Sequence, residues 1–119
     1  MSSFFKSDLV IDTLNTNGDV SINGDLTVTG DTTTVSTTNT VVSDKLLELA
    51  NGTTGTPSGD AGVVIERGSS NNVFIGWDES EDKVTVATGT FTGASTGDLT
   101  LTDAALKTGA ITASGDIST

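Results

Sequence analysis

The sequence contains no cysteine, no histidine and no tyrosine. Without cysteine the chain can form no disulfide, no thiolate metal site and no thiol nucleophile. Without histidine it lacks the commonest general base and the commonest metal ligand. No nucleophile elbow, glycine-rich phosphate loop or metal-ligand spacing is present either. We therefore expect a protein that is not an enzyme and that binds no cofactor and no metal.

Basic residues, aromatic residues and long apolar runs are also scarce. Five Lys and Arg stand against 16 Asp and Glu, and the formal net charge of −11 opposes binding to nucleic acid. No apolar run approaches the roughly 20 residues of a membrane span, so we expect no membrane insertion. Hydrophobic residues make up 34% and aromatic residues 4% of the 119 positions, which is little for an independent globular core.

What the sequence does have is an alternating pattern with a glycine at about every sixth position. Residues 17–35 read NGDVSINGDLTVTGDTTTV. Apolar residues and glycines fall on one face and polar residues on the other, which is typical of a strand with one buried face. The run is too long for one flat strand, and glycine lets the backbone bend. Residues 97–119 repeat the pattern less regularly, because Asp103 and Lys107 interrupt the apolar face.

Two architectures are built from six-residue turns. In a single-chain β-helix, three hexads close only one coil of about 18 residues, and a solenoid needs about three repeats to cover its core. If three identical chains wind round a common axis, each supplies one hexad per layer, and cyclic symmetry closes the sheet edges. Three consecutive hexads give one coil in a single chain but three complete layers in a trimer, so the number of hexads favours a homotrimer. The side chains predicted to point to its axis are Val20, Ile22, Leu26, Val28, Leu99, Leu101 and Ile111.

Between the two hexad runs, three apolar stretches predict a small antiparallel β-meander. The predicted strands are residues 62–67, 72–77 and 83–88, joined by tight loops. Three strands on one chain are marginally stable, so packing against two symmetry mates would complete the core. The side chains expected in this core are Ile65, Phe74, Trp77 and Val86.

The patterns divide the chain into four segments. Residues 1–16 form a lead-in, in which Phe4 and Phe5 either cap the first layer or dock the fibre onto a larger body. Residues 17–43 form the first hexad stalk, residues 44–96 the meander module and residues 97–119 the second hexad stalk. The predicted fold class is therefore all-β: an elongated homotrimeric fibre with triple-stranded, β-helix-like stalks that flank a small antiparallel meander.

Two stretches of the module allow alternatives. Residues 44–52 could form a short helix or an extended edge, and we favour the extended form because so short a helix is marginal. The acidic loop 78–82 offers oxygen ligands of the kind that Ca²⁺ prefers. Its spacing does not match an EF-hand loop, so we expect a solvated hairpin turn.

Two parts of the sequence resemble a known family. They are GDVSINGDLTVTGDTTTVSTTNTVVSDKLLELANGTTGTP and AGVVIERGSSNNVFIGWDESEDKVTVATGTFTG, which together span most of residues 18–93. They resemble tail-fibre and related structural proteins of bacteriophages, especially of marine cyanophage and pelagiphage type. The hexads are weakly specific, whereas residues 65–68 and 74–80 (IERG and FIGWDES) are more specific. The resemblance implies a homotrimer located in the virion, with host-surface contact as the role of the whole fibre.

The expected function is that of a structural virion protein. The chain would be the proximal or shaft segment of a trimeric phage fibre, attached through its N-terminus to tail or baseplate proteins and continued by a distal portion that recognises the host. One alternative is a host-surface binding module, in which Trp77 and the loops of the central sheet contact a glycan or a protein. Another is a fibre mounted on the capsid or the baseplate.

Overall fold

The computed structural model describes residues 8–118, and all regular secondary structure among them is β. The chain divides into two units, Met1–Val42 and Ser43–Thr119, and the sheet lies in the second. The described residues form no helix, and hence none of the length and apolarity needed to cross a bilayer. The all-β prediction is confirmed, and the non-helical alternative is the correct one for residues 44–52.

Four strands form one antiparallel sheet in the order β1-β2-β3-β4. They are β1 (Ala61–Arg67), β2 (Ser70–Asp78), β3 (Lys83–Gly89) and β4 (Thr102–Asp103). The first three confirm the predicted meander. The fourth was not predicted, because it lies in the stretch assigned to the second stalk. It pairs with β3, and the amide of Ala104 extends the pairing by donating to the Val86 carbonyl at 2.9 Å.

The register of the strands decides which side chains share a face. Phe74 stands opposite Val64 and Ala87, whereas the next residue along β2, Ile75, stands opposite Val63 and Val86. We call the two sides of the sheet the covered face and the open face. The covered face carries Gly62, Val64, Asn72, Phe74, Gly76, Asp78, Thr85, Ala87 and Gly89. The open face carries Ala61, Val63, Ile65, Val73, Ile75, Trp77, Val84, Val86 and Thr88.

The core lies against the covered face. Among the described residues the buried hydrophobic side chains are Phe74 (2% exposed), Ala87 (0%) and Phe91 (6%). Phe91 follows β3 and meets Phe74 edge to face, with ring centroids 6.0 Å apart and the planes at 75°. This geometry suits the quadrupoles of the two rings. The side-chain amide of Asn72 holds the Phe91 segment down by donating to the Phe91 carbonyl at 2.8 Å.

The Phe74 ring lies over a pair of opposed glycines, Gly62 on β1 and Gly76 on β2. A Cβ added to Gly62 would stand 2.7 Å from Cε2 of Phe74, and one added to Gly76 would stand 2.7 Å from Cζ. Only a residue without a side chain therefore lets the ring lie flat against the two strands. The glycines, which would weaken a strand elsewhere, form the floor of the core here.

Two of the predicted core residues are not buried within the single chain. Trp77 and Ile65 lie on the open face, where they are 41% and 46% exposed. Val86 shares that face and is half-buried, and Phe74 alone of the four is part of the core. Because β2 has apolar side chains on both faces, alternation did not indicate which face the single chain would cover.

The hexad runs bend where the repeat predicts. In the first run the chain bends at residues 17–18, 23–24 and 30–31, each of which includes a repeat glycine. The second run bends at 97–98, 109 and 114–115. No strand occurs within the described residues 8–60, because a strand needs a hydrogen-bonded neighbour and this stretch has none in the single chain.

We predict that Gly76→Ala destabilises the sheet by about 1–3 kcal/mol, the usual cost of overpacking a core. The added methyl group would collide with the carbonyl oxygen of Ala61 and Cα of Gly62 on β1 as well as with the Phe74 ring. Urea unfolding followed by the fluorescence of Trp77 measures the change. Gly93→Ala is the matched control, since a Cβ at Gly93 has nothing within 4 Å. Equal unfolding midpoints for the two variants would show that the glycine floor is not needed.

Candidate interaction surface

The predicted axis residues of the first hexad run are all exposed. Val20, Ile22, Leu26 and Val28 have exposed fractions between 49% and 69%. Every described residue of the first unit is exposed, so nothing in that part of the chain covers these side chains. A regular apolar row without cover is therefore a candidate interaction surface. Phe4 and Phe5, predicted to dock the N-terminus, lie outside the described residues.

The predicted axis residues of the second run differ from one another. Ile111 is exposed, but Leu99 and Leu101 are half-buried. Leu99 lines a cavity of about 240 Å³ together with Val64 and Phe74. Leu101 lies near Asp78 at a neighbouring cavity. Both leucines therefore contribute to the cover of the sheet in their own chain, a contact that the hexad pattern did not indicate.

One half-buried carboxylate, Asp60, joins three separate parts of the module. Its Oδ1 accepts a hydrogen bond from the amide of Glu79 at 2.9 Å, and its Oδ2 accepts one from the amide of Leu99 at 2.8 Å. Its own amide donates to the carbonyl of Gly97 at 3.0 Å. Asp60 thereby fixes the segment that covers Phe74. No local pattern indicated this role, because the partners lie 19 and 39 positions away along the chain.

The acidic loop between β2 and β3 is organised by its first residue. Asp78 is buried, and its Oδ1 accepts hydrogen bonds from the Ser80 hydroxyl (2.7 Å), the Ser80 amide (3.0 Å) and the Glu81 amide (3.2 Å). The loop is a hairpin turn closed by its own carboxylate. Within residues 8–118, no three acidic side chains are placed to share a metal ion.

The same contacts change the acidity of Asp78. The Ser80 hydroxyl is the main cause that lowers the pKa of the Asp78 carboxyl below its ordinary value of 3.8. Burial acts in the opposite direction, and the amides of Glu81 and Ser80 and the charge of Lys83 add to the lowering of the pKa. The ionised carboxylate is thus the form that the turn stabilises.

Trp77 lies at the end of the open face, beside a groove. Its indole Nε1 donates to Oε2 of Glu79 at 2.8 Å, which satisfies the one polar atom of the ring. The groove has a volume of about 450 Å³ and is lined by Trp77, Glu79 and residues from the loop 50–61. Trp77 was predicted both as core and as a possible receptor contact. The structure excludes it from the core of the single chain.

The open face is an apolar surface of the module that the single chain leaves largely uncovered. Its cross-strand rows are Ala61–Trp77–Val84, Val63–Ile75–Val86 and Ile65–Val73–Thr88. Several members are exposed, including Ile75 at 44% and Val84 at 76%. The sequence shows that Val63, Ile65, Val73 and Ile75 are apolar. It does not show which face of the sheet the rest of the single chain covers, and that decides whether these side chains are buried or exposed.

Comparison of the chain with protein-family models, curated proteins and solved structures finds no match in any of the three. The exposed hexad row, the open face and the Trp77 groove are therefore the surfaces from which a function is inferred.

We predict that the stability of the module falls as the pH drops below about 3.8 and that Asp78→Asn reduces this dependence. Because the pKa is lower in the folded chain, the unfolded chain binds the proton first as the pH falls. The stabilisation from Asp78 is thus complete above the unfolded pKa and is lost as the pH passes through the lowered folded value. Urea midpoints at neutral and acidic pH measure the effect.

Asp116→Asn is the control for this prediction, because it removes the same charge from an exposed position outside the sheet. Parallel acid sensitivity in the wild type and both variants would contradict the role assigned to Asp78.

Proposed function

We propose that the chain is a structural segment of a trimeric fibre on a bacteriophage virion, in the proximal or shaft part that links the particle to a distal host-recognition tip. The observation that carries this proposal is the exposed hexad row. Val20, Ile22, Leu26 and Val28 alternate with polar residues along a chain that bends at each repeat glycine, and their side chains lack cover.

A row of this kind has to be buried by something outside the run. Apolar side chains on one face of an extended chain gain about 25 cal/mol for each Å² that they remove from water. Three copies wound round one axis bury the row against itself, and each copy supplies the hydrogen-bonded neighbour strand that the single chain lacks. The cover and the backbone pairing then come from the same assembly.

The charge pattern supports the same arrangement. Asp19, Asp25 and Asp31 occupy the polar face of the hexads, opposite the apolar row. In a trimer that face is outermost, where acidic side chains keep the fibre soluble and deter edge-to-edge pairing with other fibres. The charge would thus be spread over the outside of the fibre and kept out of its axis.

The assignment to a phage particle rests on the resemblance of residues 65–68 and 74–80 to phage fibre proteins. In this proposal Phe4 and Phe5 anchor the fibre to tail or baseplate proteins, and a distal portion follows the second hexad run. A capsid- or baseplate-mounted fibre would use the same trimeric stalk.

A second candidate function is binding to a host glycan or protein. The observation that favours it is the half-exposed Trp77 ring beside a groove lined by hydroxyl-bearing residues such as Thr53 and Thr56. An aromatic face next to polar groups suits a sugar, which presents both C–H and hydroxyl groups. This function requires Trp77 to stay exposed in the assembled fibre.

We predict that the purified chain has a solution mass of about three times 12.0 kDa and that Val28→Asp abolishes this trimer. The substitution places three like charges in one layer of the axis, and each uncompensated buried ion costs several kcal/mol. Light scattering after size exclusion measures the mass.

Thr27→Asp is the matched control, because it adds the same charge one residue away on the polar face of the repeat. We expect it to remain a trimer. A Val28→Asp trimer with an unchanged melting temperature would overturn the axis assignment, and a folded wild-type monomer would overturn the fibre proposal.

A further inference from the structure

We propose that the open face of the sheet is an interface between copies of this chain, covered in the trimer by the same face of two other copies. This inference rests on the trimer proposed above and names a second surface that holds it together. It assigns Ile75 and Trp77 to the contact between subunits, and it takes the open face out of reach of a host ligand.

The open face is free of charge on a strongly acidic chain. Charged residues make up 18% of the sequence, yet none of the nine positions in its three cross-strand rows is charged. Copies that each carry a net charge of −11 repel one another unless they meet where no acidic group lies between them. The nine side chains of the three rows meet this requirement, and the one acidic group that contacts them here, the Glu79 carboxylate, lies at the Trp77 end of the face.

The polar atom on this face already has a partner. Burial of an indole costs free energy when its N–H group is left without an acceptor. Here Glu79 Oε2 accepts from Trp77 Nε1 at 2.8 Å within the same chain. Glu79 lies in the turn after β2, and it is half-buried. The ring can therefore be covered by another copy without losing a hydrogen bond.

The size of the face points to copies of the chain and away from an outside partner. Three strands about 4.8 Å apart, with five residues each at about 3.3 Å per residue, give a flat area of about 240 Å². A stable pair of proteins needs about 800 Å² on each side. An outside protein held by this face alone would bind weakly. Copies already joined through the hexad runs gain the contact intramolecularly, at a high effective concentration.

The module also needs the second layer. Phe74, Ala87 and Phe91 are the only hydrophobic residues buried among those described, and all three lie on one side of the sheet. A small sheet with one thinly covered face is marginally stable. Three open faces packed together would give each sheet the second apolar layer that domains are built on.

The test uses Trp77, the single tryptophan of the chain, as a reporter of the open face. In the full-length wild-type trimer we expect blue-shifted emission and quenching by acrylamide at least threefold weaker than in the Val28→Asp chain. We expect Ile75→Glu to raise, by at least tenfold, the protein concentration below which the trimer dissociates. We also expect acrylamide to quench Trp77 in this variant as readily as in the Val28→Asp chain. The single-chain fold should tolerate the change, because Ile75 is 44% exposed there.

Two controls test whether the effect of Ile75→Glu comes from charge at the open face. One adds charge elsewhere, and the other changes the side chain without adding charge. Ser69→Glu adds the same charge at an exposed position of the β1–β2 turn, outside the strands and their three rows, and we expect it to leave the trimer intact. Ile75→Thr keeps a β-branched residue in the strand without adding charge, and its effect should be smaller than that of Ile75→Glu.

Three outcomes decide the matter. A wild-type trimer in which acrylamide quenches Trp77 as readily as in Val28→Asp would overturn the inference, leave the fibre proposal standing and favour a glycan or protein ligand. So would an Ile75→Glu trimer with wild-type dissociation and protected Trp77. A folded wild-type monomer would overturn the fibre proposal, and this inference with it.

Discussion

The packing of the Phe74 ring on the Gly62–Gly76 pair is the contact on which the rest of the module depends. It brings β1 and β2 into register, because only these opposed glycines leave room for the ring. Phe91 then closes over its edge, and Asn72 fixes the Phe91 backbone. Once this side of the sheet is filled, the alternation of the strands places the remaining large apolar side chains on the other side. The exposed surface is therefore a direct consequence of how the core forms.

The two units present the same physical problem in different forms. The first hexad run has an apolar row and no neighbour strand, and the sheet has neighbour strands and an apolar face without cover. Both deficits are met by other copies of the chain in the trimer proposed here. The stalk gains backbone pairing and cover together, whereas the module gains only cover. A chain with few hydrophobic residues can thus reach a stable structure by sharing them between subunits.

The sequence allowed the strands to be predicted but not the faces. Alternation and loop residues located β1, β2 and β3, because those signals are local. Val73, Phe74 and Ile75 are consecutive apolar residues, so the covered side depended on Phe91 and Leu99, which approach from distant parts of the chain. For the same reason Trp77 was expected in the core, β4 was not predicted, and the role of Asp60 could not be inferred. The hexad row was predicted from its periodicity. The single chain leaves this row exposed, because the side chains expected to cover it belong to other copies.

The Asp60 carboxylate has a consequence for the order in which the chain is made. It binds the amide of Leu99, 39 positions downstream, and so the covered face cannot close until that residue has left the ribosome. The first hexad run is synthesised well before then. Each nascent chain therefore presents its apolar row before its sheet is complete. Neighbouring ribosomes on one message would bring such rows together early, and closure of the sheet would come after the chains had met.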